Sequence, residues 1–386
     1  MFSNDIVASF NERSTPFYFY DLSLFRRTLE QIEKHGLSKG YHIHYALKAN
    51  SHPRILKEIV NAGLSADCVS GGEVERALEC GFSADQIAFA GVGKRDIEIQ
   101  IGIKNNISCF NVESAQELEV INELASENST KARVALRINP NVDAKTHKYI
   151  TTGLKENKFG INEKDLPAIF ELLPSLKNID LVGIHFHIGS QIEDLEPFTK
   201  LCARANELNA LFESKGHQLT IINVGGGFGI DYTNPDENDI PDFEHFFGTF
   251  EKHLKLGSHQ ELHFELGRSI IGQTGSLISR VLFTKTGLEK NFAIIDAGMT
   301  ELIRPALYQA KHEIQLLGDS SDRSLGTYDV VGPICESSDT FRTALELPQL
   351  RRGDVLAIRS CGAYGEVMKS QYNLRHSIGT VFSDEL

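Results

Sequence analysis

The chain has 386 residues, and its hydrophobic content of 41% is enough for one large core with a smaller companion domain. Its 39 basic and 52 acidic residues give a net charge of −13, and no block of lysine or arginine resembles a nucleic-acid footprint. The six cysteines form no CxxC pair, so we expect reduced thiols and no metal site. The segment "MFSNDIVASF" lacks the basic region and following apolar core of a secretion signal. No apolar run reaches the roughly 18 residues of a membrane span. We therefore expect a cytoplasmic protein that acts on small molecules.

Eight short runs of apolar and β-branched residues predict strands along the first two thirds of the chain. In order, they are "YHIHYALK", "LSADCVS", "QIAFAGV", "ISCFNV", "RVALRIN", "LVGIHFHIGS", "TIINVGGG" and "LHFELGR". Amphipathic stretches such as "HPRILKEIVNAG" and "GGEVERALECG" lie between them and predict helices. Eight alternating units predict an α/β fold, a closed (β/α)₈ barrel of the TIM type, over residues 25–268. An open doubly wound sheet is the alternative, but "GGGFGI" places Ile230 where the GxGxxG pattern requires its last glycine.

The pattern changes after Arg268 to strand-like runs without regular helices between them. These runs are "SLISRVLFTKTG", "NFAIIDAG", "TYDVVGP" and "DVLAIRSCGAYG". They predict a second, mostly β domain over residues 269–386. The early run "PFYFYD" is also strand-like and precedes the first barrel helix, so we expect residues 1–24 to join that β domain.

Residues with reactive or unusual side chains fall at the ends of the predicted barrel strands, where barrel enzymes place their active sites. Lys48 ends the first strand, His187 the sixth and Glu265 the eighth, while the glycines of "GGG" end the seventh. Taken alone, the lysine could be a solvated rim residue and the glycines only a tight turn. Together they offer an amine, bare backbone amides for a phosphate and a carboxylate, which is the set that pyridoxal phosphate requires.

The carboxylate indicates the type of reaction. Glu265 would keep the pyridine nitrogen of that cofactor protonated, so that the ring accepts electrons when a bond to the substrate α-carbon breaks. An arginine at this position would weaken the electron sink and favour a racemase instead.

Motifs along nearly the whole chain resemble those of the fold-type III pyridoxal-phosphate decarboxylases. They are "YALKAN", "SGGE", "NKFG", "HFHIGSQ", "NVGGGFG", "ELGRS", "IRPALY", "CESSD" and "GAYG". Each motif alone would be weak, but the set is highly specific. The resemblance implies a barrel with a carboxy-terminal β domain and a homodimer with its two active sites at the interface. It further implies that the substrate is meso-2,6-diaminopimelate, decarboxylated at its D-configured centre to L-lysine and CO₂ in the terminal step of lysine biosynthesis.

The same resemblance assigns roles to residues that match the family motifs. It implies that Lys48 bonds the cofactor, that His187 stacks on its ring and that Glu265 faces its pyridine nitrogen. The residues implied on the phosphate side are Gly226, Gly227, Gly267, Arg268 and Tyr364.

For the substrate, the resemblance implies that Arg268, Arg304 and Tyr308 hold the distal carboxylate, with Tyr364 nearby. A guanidinium fork matches a carboxylate well. Cys335 and Glu336 resemble residues donated by the partner subunit, the cysteine as a proton donor and the glutamate as a contact for the distal amine. Cys335 and Arg304 each have a purely structural alternative. Cys335 could be a packed small residue, and Arg304 could simply form an ion pair with Glu301.

Three positions depart from the family pattern, namely Leu266, Ser338 and Phe228, and none of them removes a functional group. The alternatives for function are a decarboxylase of L-lysine, L-ornithine or L-arginine, an amino-acid racemase, and a non-catalytic relative that binds a partner protein. The basic amino acids lack a distal carboxylate for Arg304, and a non-catalytic relative need not keep Lys48, Glu265 and Cys335 together. His185 is interpreted as an interior histidine, and His42 and His44 receive no role.

Overall fold

The computed structural model describes residues 2–143 and 158–386 and divides the chain into two compact units. The barrel unit comprises Leu29–Gly229 and Asp242–Gly267. The β unit comprises the residues up to Thr28 together with Ile230–Pro241 and Arg268–Leu386. Asn157 of the "NKFG" motif lies outside the described residues.

The barrel unit contains eight parallel strands that close in chain order, so that the first strand pairs with the last. The strands are β2 (His42–Ala46), β3 (Ser65–Cys68), β4 (Ile87–Phe89), β5 (Cys109–Val112), β6 (Ala132–Arg137), β7 (Ile179–His185), β8 (Ile221–Asn223) and β9 (Glu261–Leu266). Each of the eight runs that the sequence predicts overlaps one of these strands, and the predicted (β/α)₈ barrel is confirmed.

Helices connect the strands, and several begin at the capping residues that the sequence offers. They are α2 (Leu22–His35), which starts in the β unit, α3 (Pro53–Asn61), α4 (Gly71–Cys80), α5 (Asp96–Asn105), α6 (Ala115–Glu127), α7 (Leu166–Leu172), α8 (Glu196–Ser214) and α9 (Phe243–His253). Ser70 and Ser114 accept hydrogen bonds from the third residues of α4 and α6, which satisfies amides that the helix cannot pair internally.

The core of the barrel unit lies inside the strands and between them and the helices. Small and aliphatic residues of β5 to β8 form one buried cluster, made of Cys109, Ala135, Val182 and Ile221. On the outside, Phe246, Phe247 and Phe250 of α9 pack their rings against Phe264 of β9 at centroid distances of 4.9–5.7 Å. Burial of such aromatic surface stabilises each helix on its strand.

The β unit is built on a sheet in the order β12-β15-β10-β11-β13-β14, and β1 pairs with β10 and β16. Its strands are β1 (Phe17–Tyr20), β10 (Gly275–Thr286), β11 (Asn291–Ile295), β12 (Ile314–Leu316), β13 (Leu325–Val331), β14 (Thr340–Pro348), β15 (Val355–Ile358) and β16 (Gly379–Phe382). Its helices are α1 (Asn4–Glu12), α10 (Arg268–Ile271) and α11 (Arg304–Tyr308). As predicted, the "PFYFYD" strand belongs to this sheet. Its Phe17 and Phe19 share a core cluster with Phe10 of α1 and Ile278 of β10.

Candidate active site

Lys48 lies directly beyond the carboxyl end of β2, in the short 3₁₀ turn Leu47–Ala49. Its side chain is 37% exposed, and its Nζ lies 3.1 Å from Oδ2 of Asp67, a fully buried residue of β3. The other oxygen of Asp67, Oδ1, has no hydrogen-bond partner among the described residues. Burial and the nearby charge of Glu265 raise the pKa of Asp67, against the opposing effect of Lys48. The amine is thus held at the barrel mouth with part of its surface accessible.

Four strands contribute to a hydrogen-bonded cluster around Glu265, which lies near the carboxyl end of β9. Its Oε1 accepts hydrogen bonds from the Nδ2 atoms of Asn111 on β5 and Asn223 on β8, at 2.8 and 2.9 Å. Its Oε2 lies 2.9 Å from Nε2 of His185, the last residue of β7. The carboxylate is therefore buried with partners on both oxygens, and it is fixed in one orientation.

The charge state of Glu265 follows from these neighbours. Burial alone would raise the pKa of the carboxyl, but the charge and hydrogen bond of His185, together with Lys48 and His187, hold it below the usual range. A carboxylate that stays ionised inside a protein is able to pair with a protonated nitrogen.

His187 follows β7 by two residues and is half-buried. Burial, with the charges of Arg137 and Lys48 acting in the same direction, lowers the pKa of His187 well below its usual value. The backbone N–H of Gly226 donates to Nδ1 of His187 at 3.4 Å, which places the remaining ring proton on Nε2. A neutral imidazole of this kind offers a flat face to an aromatic ring.

The glycine run after β8 is required by the close approach of backbone segments. A Cβ atom on Gly226 would lie 1.7 Å from the carbonyl oxygen of Glu265, and one on Gly225 would lie 2.1 Å from that of Phe186. Gly225 and Gly227 also have φ angles of 69° and 103°, which favour glycine. Gly267, at the end of the barrel unit, is restricted likewise, since its Cβ would lie 2.9 Å from that of Ala49.

In the β unit, Arg268 begins α10 and is buried. Its Nη1 donates to the hydroxyl of Tyr232 at 2.6 Å, and its guanidinium lies 4.9 Å from the ring centre of Tyr364. Tyr364 has a φ of 57°, a left-handed conformation that is uncommon outside glycine. The two tyrosines orient the arginine by a hydrogen bond and a cation–π contact.

Arg304, the first residue of α11, is a second buried arginine of this unit. Its Nη1 lies 2.8 Å from Nε2 of His312, and its guanidinium lies 4.9 Å from the ring centre of Tyr232. Burial and the charge of Arg304 lower the pKa of His312 to about 3, so the uncharged ring accepts from Arg304 while its Nδ1 donates to the carbonyl of Arg359. In residues 2–143 and 158–386, Arg304 pairs with no carboxylate. Tyr308, which ends α11, is half-buried.

Glu301 does not pair with Arg304. Its Oε2 accepts from the backbone N–H of Gly298 and from the hydroxyl of Thr300, at 2.8 and 2.9 Å. The structural reading of Arg304 as the partner of this neighbour is therefore wrong.

Cys335 and Glu336 lie in a loop between β13 and β14 and are both exposed. Of the six cysteines, all within the described ranges, Cys335 is the only exposed one. The loop is tied down, because the N–H of Cys335 donates to Oδ1 of Asn373 and the hydroxyl of Tyr372 donates to Oε1 of Glu336. The side chains of Cys335 and Glu336 are therefore exposed on the surface of the β unit.

The structure brings Lys48, His187, Glu265 and the glycines together at the mouth of the barrel unit. In the β unit, Arg268 and Arg304 both contact Tyr232, and Tyr364 lies against Arg268. Sequence reasoning missed the partners of these residues, which are Asp67, Asn111, Asn223, Tyr232 and His312. A signal existed for Asp67, Asn111 and Asn223, since each is a polar residue within a predicted strand run. Tyr232 and His312 lie outside these runs and gave none.

The barrel mouth fits pyridoxal phosphate. It presents an amine, an ionised carboxylate, an uncharged imidazole and glycine backbone that approaches without a side chain, and these are the groups that an aldehyde, a pyridinium nitrogen, an aromatic ring and a phosphate require. Nδ1 of His185 and Oδ1 of Asp67 also lack partners among the described residues.

Within the described ranges, none of the helices combines the length and apolar character that a membrane crossing demands.

Comparison with known proteins gives a consistent result. The family model described as the pyridoxal binding domain of pyridoxal-dependent decarboxylases matches residues 22–272. A protein of Bacteroides thetaiotaomicron named diaminopimelate decarboxylase is 52% identical over 381 residues, which cover 98% of each chain. The crystal structure of diaminopimelate decarboxylase from Helicobacter pylori complexed with L-lysine superposes with a TM-score of 0.90 at 41% identity, covering 97% of this chain and 93% of that one. Lysine decarboxylase from Selenomonas ruminantium has a TM-score of 0.86 at 22% identity, which shows a shared fold.

Proposed function

The chain belongs to the pyridoxal-dependent decarboxylase family, and on that premise we propose that it decarboxylates meso-2,6-diaminopimelate at its D-configured centre, yielding L-lysine and CO₂. In a cell this reaction would be the terminal step of lysine biosynthesis. The similarity to the Bacteroides and Helicobacter proteins extends over nearly the full chain, which supports a shared substrate. The cytoplasm is the proposed location, in keeping with six cysteines that form no disulfide.

The observation that carries the choice of substrate is the state of Arg304. A buried guanidinium whose partners are an uncharged imidazole and an aromatic ring regains only part of its lost hydration, because no carboxylate neutralises its charge. A distal carboxylate on the substrate would complete a bidentate pair with it. L-Lysine, L-ornithine and L-arginine carry no such group.

On the cofactor side, we assign the residues of the barrel mouth. Pyridoxal phosphate, when bound, supplies a conjugated ring that accepts the electron pair released as CO₂ leaves. Lys48 is the amine that bonds it, His187 packs on the ring face, and Glu265 holds a proton on the pyridine nitrogen. Gly226 and Gly227 let the phosphate approach backbone that carries no side chain.

The β-unit residues contribute charge and hydrogen bonds in this proposal. Arg268 and Tyr364, with Gly267 of the barrel unit, serve the phosphate side, and Arg268 also faces the substrate. Arg304 and Tyr308 hold the distal carboxylate, which positions the scissile carboxylate rather than changing its chemistry. Tyr364 lies against Arg268 and therefore contributes to binding of the substrate as well.

We further propose a homodimer in which each chain donates Cys335 and Glu336 to the partner's site. The support is the exposure of both side chains on a tethered loop. The thiol of Cys335 donates a proton to the α-carbon from which CO₂ has left. Glu336 pairs with the amine at the far end of the substrate.

The test is CO₂ release by purified, cofactor-loaded protein. We expect release from meso-diaminopimelate and none from L,L-diaminopimelate, which has no D-configured centre, or from L-lysine, L-ornithine and L-arginine. Release from a basic amino acid in place of diaminopimelate would overturn the proposal. If none of these substrates releases CO₂, the racemase or the partner-binding alternative is favoured, and a racemisation assay separates these two.

A matched pair of variants tests the role of Arg304. Arg304→Gln should lower kcat/KM for meso-diaminopimelate by about 100-fold or more, in line with the loss of a charge-assisted bidentate contact. Arg352→Gln alters an exposed arginine of the same unit and should leave kcat/KM unchanged. If both variants lower kcat/KM equally, Arg304 has no specific role in holding the distal carboxylate.

A further inference from the structure

Three potential metal ligands meet at the amino-terminal end of the barrel strands. His42 begins β2, and Glu261 begins β9, with His263 two residues further along the same strand. Side chains two apart on a strand point to the same face, and the register of the barrel places His42 directly opposite His263. The pairing that closes the barrel therefore brings the three residues together, whereas their separation in sequence gives no such signal.

The distances between the ligand atoms of His42, Glu261 and His263 are close to those of a metal site. Nε2 of His263 lies 3.4 Å from Oε2 of Glu261, and Nε2 of His42 lies 3.7 Å from the same oxygen. The three ligand atoms all lie within 4.8 Å of one another. An ion with metal–ligand distances of about 2.0–2.2 Å fits between atoms at this spacing after small side-chain movements.

A hydrogen-bonded chain decides which nitrogen of His263 carries its proton. Nδ1 of buried His44 lies 3.3 Å from the carbonyl oxygen of Ala66, and a carbonyl only accepts, so this nitrogen is the donor. Nε2 of His44 is then the acceptor for Nδ1–H of His263, 2.8 Å away. If the ring proton of His44 were on Nε2 instead, its unprotonated Nδ1 would face the carbonyl oxygen of Ala66, and both atoms are acceptors.

The consequence is a lone pair on Nε2 of His263. In the arrangement set by Ala66, Nε2 of His263 faces the carboxylate oxygen of Glu261 at 3.4 Å with its lone pair, and a cation bound between these two atoms would satisfy both. Histidines that bind metals are usually held in orientation by a hydrogen bond from their other ring nitrogen.

We propose that His42, Glu261 and His263 bind a divalent transition metal ion, with Zn²⁺ as the fitting representative. Two imidazoles and one carboxylate suit such an ion better than Mg²⁺ or Ca²⁺, which prefer oxygen ligands. His42 is stacked on His263 with an angle of 15° between the rings, so its lone pair does not yet converge with that of His263. Its side chain is 44% exposed, which leaves room for the ring to turn.

The site would be structural rather than catalytic. It lies at the amino-terminal face of the barrel, and Lys48 follows the opposite end of β2. A bound ion would link β2 to β9, the two strands whose pairing closes the barrel. Because the unfolded chain lacks this arrangement, the ion would stabilise the folded state.

The experiment is isothermal titration of Zn²⁺ into cofactor-loaded protein that carries no polyhistidine tag. We expect one high-affinity equivalent per chain, and a Tm that rises by about 2 °C or more on saturation with Zn²⁺ but not with Mg²⁺. His42→Ala and Glu261→Gln should each weaken the Zn²⁺ affinity by about 10-fold or more and abolish the Tm shift. Both residues are substantially exposed, so these variants should fold.

His259→Ala is the matched control, since it removes an exposed histidine two residues before Glu261 and outside the cluster. It should bind Zn²⁺ as the unaltered protein does. Equal affinity in all four proteins would assign the binding to other groups and overturn the proposal. Absence of a high-affinity equivalent in the unaltered protein would overturn it as well.

Discussion

Glu265 shows how a buried carboxylate is kept ionised by its surroundings. Asn111, Asn223 and His185 hold it from three different strands, and His185, Lys48 and His187 lower its pKa by more than burial raises it. Replacing the carboxylate removes a charge that the three partners are oriented to meet. The effect on stability should therefore depend on pH in a defined direction.

The prediction concerns Glu265→Gln. Because the folded-state pKa of Glu265 is depressed, its stabilising contribution is present above the ordinary carboxyl pKa of about 4.3 and is lost as the pH falls below it. The Tm difference between the unaltered protein and Glu265→Gln should thus stay constant from about pH 8 to pH 5.5 and shrink below about pH 4.5. Calorimetry across this range measures it, with Glu119→Gln on the surface of α6 as the control. A difference that widens in acid would contradict the assignment.

Cys335 supports a second prediction at the level of one atom. Cys335→Ala should lower kcat by about 100-fold, as expected for loss of a general acid, while cofactor affinity stays within about 2-fold. The measurements are CO₂ release and the visible absorption of bound cofactor. Cys202→Ala, which alters a buried cysteine of α8, is the control for loss of a thiol in general. An unchanged kcat for Cys335→Ala would eliminate it as a proton donor.

At the scale of elements, the loop after β8 is restricted by the close approach of two backbone segments. Gly226→Ala would place a methyl group 1.7 Å from the carbonyl oxygen of Glu265, so the loop or β9 must shift. We expect a fall in Tm of several degrees and at least about a 10-fold loss of cofactor affinity, since strain of this kind costs a few kcal/mol.

Gly248→Ala is the matched control for that variant. Gly248 lies inside helix α9, and a Cβ there meets nothing within 4 Å. The substitution should raise stability by about 0.5–1 kcal/mol or leave it unchanged, because alanine favours helix over glycine. Thermal melts of both variants give the comparison, and a harmless Gly226→Ala would refute the close-packing argument.

Element prediction from sequence succeeded where periodicity and burial agree. The barrel strands are short and mostly buried on both faces, so they read as apolar runs, and each was found. The sequence did not indicate β12, β14 or β16, because polar and charged residues such as Glu346 interrupt β14 and because β12 and β16 are only three and four residues long. The helix α1 was also missed, although Ser3 caps it and Phe10 anchors it.

The candidate site was less predictable than the fold. Lys48 and Glu265 could be found because strand ends in a barrel share one face, and the family motifs name them. Asn111 became a neighbour of Glu265 only through barrel closure, which joins residues 154 positions apart. The roles of the individual site residues remain predictions, as do the domain boundaries at 25–268 and 269–386.

At the scale of the whole molecule, a direct consequence follows if each chain donates Cys335 to its partner's active site. Lys48→Ala and Cys335→Ala each inactivate a homodimer, but a mixed dimer combines both lesions in one site and leaves the other intact. Mixing the two inactive proteins under conditions that exchange subunits should restore about a quarter of the normal activity. CO₂ release measures it, and mixing Lys48→Ala with Glu265→Gln is the control, because both changes fall in the same chain's barrel. No recovery in an exchanged sample would place Cys335 in its own chain's site or outside any site.

The pairing of distant strands in both units determines when each can be completed during synthesis. The barrel strand β2, at His42–Ala46, waits for β9, which ends at Leu266, and β1 waits for its parallel neighbour β16 at Gly379–Phe382. A ribosome that adds residues from the amino terminus therefore leaves one edge of β1 unpaired until β16 has emerged, although β10 can pair with the other edge earlier. Such long-range closure is slow compared with local contacts, and it leaves unpaired strand edges available to chaperones or to aggregation. Truncation of β16 would thus leave β1 paired with β10 alone.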